Sequence, residues 1–118
     1  MHEMSYVVAF SNQAIEEAKR QKAKKVLSIT VSVGKMTGVL PEYLYKYYPE
    51  AVSGTILEDS ELIVEEIPVK AVCESCGREY APDKEHKYLC PYCGDGRGRV
   101  IAGRDVVLER IEIEGDPM

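Results

Sequence analysis

Four cysteines carry the clearest chemistry in the chain. They stand as Cys73-Glu-Ser-Cys76-Gly77 and Cys90-Pro-Tyr-Cys93-Gly94, two C-x-x-C-G turns with thirteen residues between them. Two intervening residues let both thiolates of a tight turn point at one ion, and the glycine lets the backbone fold beneath the sulfurs. Four thiolates complete a tetrahedron around Zn2+ and leave no open position for a substrate, so such a site is structural. Metal binding there is worth on the order of 10 to 16 kcal/mol at neutral pH, enough to order a segment that lacks a core. Two disulfides, a redox C-x-x-C pair and iron in a rubredoxin-like knuckle are the rival readings. Paired thiols in a reducing compartment more often hold metal than form disulfides, and two matched pairs suit one shared ion better than a redox couple. Ligand type alone does not separate zinc from iron, and zinc is the leading assignment.

A second candidate site is the amino terminus, Met1-His2-Glu3. With Met1 retained, its free amine, the amide nitrogen of His2 and the His2 imidazole can lie in one plane around a divalent ion, forming consecutive chelate rings. That nitrogen-rich planar set suits Ni2+ or Cu2+ and fits zinc's tetrahedral habit poorly. Glu3, water or another group would take the fourth position. The amine must lose a proton with a reference pKa of about 7.7 to 8.0, so affinity rises with pH through neutrality. His86, between the cysteine pairs, is the only other histidine and a possible additional ligand at this site.

The elements that position these groups are legible from periodicity. Met4, Val7, Val8, Ala14, Ile15 and Ala18 recur at helical steps and predict an amphipathic helix over Glu3 to Lys25, with Lys19, Arg20, Lys22, Lys24 and Lys25 complementing its negative end. Val26 to Gly34 alternates, predicting a strand with Leu27, Ile29, Val31 and Val33 buried and Ser28, Thr30 and Ser32 on the other side. Leu40-Pro41-Glu42 opens a second helix that Gly54 ends after Val52, and Pro49 predicts a kink or break inside it. Its Tyr43, Leu44, Tyr45, Tyr47 and Tyr48 are expected to pack across the sheet. Glu61 to Val69 and Asp105 to Glu114 read as further strands whose apolar parity slips, which a bulge in each, or burial on both faces, would explain. The expected fold is α+β: two helices packed on a three-stranded sheet formed by 1–69 plus 104–118, with residues 70–103 inserted as a zinc-binding module built on the four cysteines.

Charge and composition exclude several function classes. The chain has 118 residues, a formal net charge of -5, 45% hydrophobic and 30% charged residues, as a globular domain does. Residues 69–103 hold six Lys or Arg against five Asp or Glu, a net of +1, without aromatic residues interleaved as a base-stacking platform. Nucleic acid is therefore not expected as a partner, although a zinc-ribbon adaptor or nucleic-acid module with an inert terminus is the competing reading. The apolar run Tyr6 to Phe10 is far short of the ~18 residues of a membrane span, and a cytoplasmic location is expected. A closed zinc and two histidines leave little equipment for catalysis, so the chain does not read as an enzyme.

The whole pattern resembles a known family, the HypA nickel metallochaperones of hydrogenase maturation. The resemblance runs through Met1-His2-Glu3, Val33-Gly34, Pro41-Glu42 with Leu44, Gly54-Thr55, Glu61 to Pro68, both cysteine pairs and Val106 to Glu114. It implies that the helix-and-sheet domain binds Ni2+ at Met1, His2 and Glu3, and that Cys73, Cys76, Cys90 and Cys93 hold zinc. It implies delivery to the large subunit of [NiFe] hydrogenase together with the nucleotide-hydrolysing partner HypB, and in some organisms service to urease. Pro49 and Asp59-Ser60 depart from the family pattern. The compact cysteine module leaves His86 as the sole counterpart of any nickel ligand in a longer zinc-domain insertion.

Overall fold

In the computed structural model, residues 2–115 are described, with the side chain of His2 outside that description. The order is α1 (His2–Arg20), β1 (Ala23–Gly34), a single 3-10 turn (Lys35–Thr37), α2 (Pro41–Ala51), β2 (Glu61–Ile67), β3 (Lys70–Cys73), β4 (Glu79–Tyr80), β5 (Gly98–Ala102) and β6 (Val106–Gly115). Helix α1 buries Val7, Phe10, Ala14 and Ala18, four residues at three- and four-residue steps, and the Phe10 ring meets Tyr48 of α2 with centroids 6.4 Å apart. Val8, expected on that face, is exposed. The helix also ends earlier than expected. Lys22 takes a left-handed φ of 57°, its amide bonding to the Lys19 carbonyl, and the chain turns directly into β1 at Ala23. Lys24 and Lys25 consequently lie on a strand, and only Lys19 and Arg20 face the negative end of the helix.

β1 is the centre of a sheet ordered β2-β1-β6, parallel to β2 across the α2 connection and antiparallel to β6. Ile29, Val31 and Val33 are buried beneath the helices, as their alternation predicts, but Leu27 is exposed and Val26 takes the buried place. The register explains the exchange. Val26 pairs with Ile113 and Ser28 with Glu112, so Leu27 is an extra residue and parity flips across it. The bulge expected in the last strand is present: Thr30 pairs with Arg110 and Val31 with Leu108, leaving Glu109 as the extra residue, so Val106, Leu108, Ile111 and Ile113 all pack on the core. β2 has no such slip. Its seven pairs with β1 run unbroken, and the off-parity Ile67 is simply the residue at which the strand ends.

The sheet face away from the helices is not a bare polar surface. Ser28, Thr30 and Ser32 are buried there under longer neighbours, with Ser28 Oγ donating to Glu112 at 3.1 Å and Ser32 Oγ to Glu109 at 2.7 Å. Helix α2 continues through Pro49 to Ala51 instead of breaking. Proline removes one amide from the ladder, but Pro49 stands in the last turn, and the helix closes beyond it through the Val52 amide on the Tyr48 carbonyl at 3.1 Å. Of the aromatic run only Tyr48, with Leu44, is buried; Tyr47 is half-buried, and Tyr43 and Tyr45 are exposed.

Residues 70–103 contain an element the sequence reading lacked, a second three-stranded sheet ordered β4-β3-β5. The chain leaves the first sheet through Pro68-Val69 and returns through Gly103-Arg104. The returning passage is bound to the end of β1 and the turn after it: the Met36 amide donates to the Gly103 carbonyl and the Gly34 amide to the Asp105 carbonyl, each at 2.9 Å. The approach demands two glycines. A Cβ on Gly34 would stand 2.1 Å from the Gly103 carbonyl carbon, and one on Gly103, which has φ +84°, would stand 2.6 Å from the Pro68 oxygen. Because backbone rather than a flexible side chain blocks the space, Gly34→Ala is expected to destabilise the protein by about 2 to 3 kcal/mol, read as a lowered urea midpoint of the metal-loaded chain. A neutral outcome would mean that this crossing yields easily.

Candidate metal centre

The two C-x-x-C-G turns are built alike. In the first, the Cys73 amide donates to the Arg78 carbonyl at 2.9 Å and the Gly77 amide returns to the Cys73 carbonyl at 2.8 Å. In the second, the Cys90 amide donates to the Asp95 carbonyl at 3.0 Å and the Gly94 amide to the Cys90 carbonyl at 2.8 Å. Gly77 and Gly94 take φ of 79° and 78°, the left-handed conformation that permits this fold-back and that side chains resist. The Cys76 amide points at the Cys73 sulfur, 3.4 Å away.

The four Sγ atoms lie within 4.8 Å of one another, Cys73 and Cys93 being 3.5 Å apart and Cys76 and Cys90 3.7 Å. A tetrahedron of sulfurs about 2.3 Å from a central Zn2+ has edges of about 3.8 Å, so the donor set fits a closed four-coordinate ion. The spacing is far from the ~2 Å of a disulfide, and all four cysteines are free. Cys73 and Cys90 are buried, while Cys76 and Cys93 face outward.

Electrostatics within the cluster favour a cation. Burial pushes the Cys90 thiol up, but amides of Cys93 and Tyr92 and the thiols of Cys76 and Cys93 outweigh it and bring the group down to about 7. The Asp95 amide favours the Cys93 thiolate; against it, sharing with the Cys73 sulfur, burial, and the Cys90 and Cys76 sulfurs push that thiol up to about 12. The Cys90 thiolate forms readily, and the Cys93 thiol beside it resists ionising. A divalent ion removes that repulsion.

An acid–base clamp missed in the sequence ties the turns together. Asp95 accepts from Arg97 Nε at 3.2 Å, from Nη2 at 3.0 Å and from the Arg97 amide at 2.8 Å, and these bonds, the side chain's first, hold its carboxyl down to about 2. The Asp95 carbonyl receives Cys90 while the Arg97 carbonyl receives the Glu74 amide at 2.9 Å. The Asp-Gly pair at 95–96 was the available turn signal. Beneath the sulfurs, Tyr80 is buried with Ala71, Cys73 and Cys90, and Gly98 makes the space, since a Cβ there would meet the Tyr80 hydroxyl at 1.9 Å.

His86 is not in the cluster. Its Nδ1 and its amide both engage Asp83 Oδ1, at 2.8 and 2.9 Å, on an exposed loop. At the other candidate site, α1 begins at His2 and carries Glu3, half-buried, in its first turn. Met1 and the His2 side chain lie outside the described residues. Among the described residues no helix is long and apolar enough to cross a membrane.

Known proteins resemble this chain over its length. A family described as "Hydrogenase/urease nickel incorporation, metallochaperone, hypA" matches residues 1–113. "Hydrogenase maturation factor HypA" of Methanocella arvoryzae is 38% identical over 114 residues, covering 97% of this chain and 99% of that protein. The protein of the same name from Aquifex aeolicus is 35% identical over 116 residues, covering 98% and 100%. In fold, the chain is similar to the solution structure of the Ni metallochaperone HypA from Helicobacter pylori, with a TM-score of 0.73 at 17% identity over 97% of this chain and 98% of that one.

Cys90→Ser is expected to lose the bound metal and to speed amide exchange throughout residues 70–103, while amides of α1 and β1 keep their protection. Exchange that accelerates equally everywhere would show that the two sheets do not open separately.

Proposed function

The chain belongs to the HypA family of hydrogenase maturation metallochaperones, and from this premise we propose that it carries Ni2+ as cargo on Met1, His2 and Glu3. The zinc assigned to Cys73, Cys76, Cys90 and Cys93 is resident. It cross-links two turns and supplies no chemistry to the cargo. Division of the chain into a nickel-binding domain, 1–69 plus 104–118, and a zinc module, 70–103, follows from the same reading.

The observation that carries the nickel site is the start of α1 at His2, in a chain whose family match begins at residue 1. The first amides of a helix have no intrahelical acceptor, so a metal that takes the His2 nitrogen breaks no helical hydrogen bond. The Met1 amine, this nitrogen and the imidazole are adjacent in sequence, so they chelate without support from a pocket. Glu3 brings a negative charge to the first turn. Such a site is open on its solvent side and can hand its ion to a deeper one. The intended recipients are the [NiFe] hydrogenase large subunit and, on the way, a nucleotide-hydrolysing HypB-type partner in the same cytoplasmic compartment. Copper would bind the same nitrogens more tightly, so selectivity rests on metal supply and partner recognition.

Nickel titration of the zinc-loaded chain beginning at Met1 should show one site, lost in His2→Ala and on adding residues before Met1, with zinc retained in both. Affinity should climb between about pH 7 and 8.5 as the α-amine deprotonates, and level off above. Unaltered nickel binding by either variant refutes the assignment.

A further inference from the structure

The two edges of the first sheet are unequal. On β2, the Val64 amide points outward and donates to the Tyr45 hydroxyl of α2 at 3.0 Å, so α2 covers the middle of that edge. β6 pairs only with β1, and among the described residues its outer row of amides and carbonyls meets no helix, loop or strand. Beside it runs a groove of about 840 Å³ between β6 and the Asn12–Gln21 flank of α1, floored by Leu108, Ile111 and Ile113. Natural sheets seldom leave ten residues of edge uncovered, because unpaired ladder groups recruit another strand.

The side chains specify what would lie there. Toward the helices β6 is apolar; toward the other face it presents Glu109, Glu112 and Glu114 against Arg110, which Glu65 already engages at 3.3 Å. Glu109 and Glu112 reach inward to Ser32 and Ser28, which fixes their face. A second copy pairing edge to edge would bring two such glutamate rows together, and like charges opposed across a sheet destabilise it. We propose that β6 is a docking edge for an extended segment of a partner polypeptide in which apolar residues alternate with Lys or Arg, the apolar side facing the groove and the basic side facing the glutamates. Backbone hydrogen bonding supplies the attachment and the alternation supplies the register.

The test uses the zinc-loaded full chain and a capped nine-residue peptide alternating lysine and valine. Binding should slow exchange of outward β6 amides at alternate positions, weaken at least tenfold in Glu112→Lys/Glu114→Lys, and vanish when every backbone nitrogen of the peptide is methylated. Equal binding of the methylated peptide would leave only charge attraction and overturn the proposal. No binding, protection that maps outside β6, or sedimentation showing the chain alone dimerised through β6 would overturn it as well.

Discussion

Residues 70–103 bury only Ala71, Cys73, Tyr80 and Cys90 as a cluster, and two of these four are ligand cysteines. Burial of two other side chains is worth only a few kcal/mol, far less than the entropy of ordering some thirty residues. The convergence of four sulfurs on one cation therefore determines whether β3, β4 and β5 exist as a sheet. The fold around them reads as accommodation to that convergence: glycines at 77 and 94 where the backbone doubles back, Gly98 where Tyr80 needs room, and the Asp95–Arg97 clamp that shares carbonyls between the two turns.

A cross-link of that strength would be idle if the sheet it holds could drift. The Gly34–Gly103 crossing prevents this by bringing two backbones closer than any side chain allows, with hydrogen bonds from Gly34 and Met36 on either side. β1 thus serves twice. Its middle fills the helix-covered core with Ile29, Val31 and Val33, and its end is hydrogen-bonded to the chain returning from the cysteine segment. Burial on both faces follows from this central place.

Much of this was legible in residue order. Alternation located β1 and the last strand, the C-x-x-C-G spacing located the sulfur cluster, and the parity slip at Leu108 to Ile111 correctly announced a bulge. Two of the failures share a cause, a partner distant in sequence. Leu27 looked buried because alternation assumes unbroken pairing, and only the register against Ile113 and Glu112 shows it to be the extra residue. Lys24 and Lys25 looked helical until Gly115 and Glu114 came to pair with Ala23 and Lys25. Strands as short as Glu79–Tyr80 leave no periodicity to read. Nor could local rules foresee that a proline in a helix's last turn costs one bond and not the helix.

On the nickel reading, the start of α1 at His2 acts on the cargo with two signs. The positive end of a helix disfavours a cation nearby by about 0.3 to 1 kcal/mol, which weakens binding a few-fold. The same field stabilises the amide anion that a planar site requires, lowering the cost of removing its proton. Ligation through the amide thus gains where simple attraction of a cation loses, and ions able to drive amide deprotonation, Ni2+ and Cu2+ before Zn2+, benefit selectively. Placing the chelate on the first residue of a helix, rather than on a free tail, therefore discriminates against Zn2+.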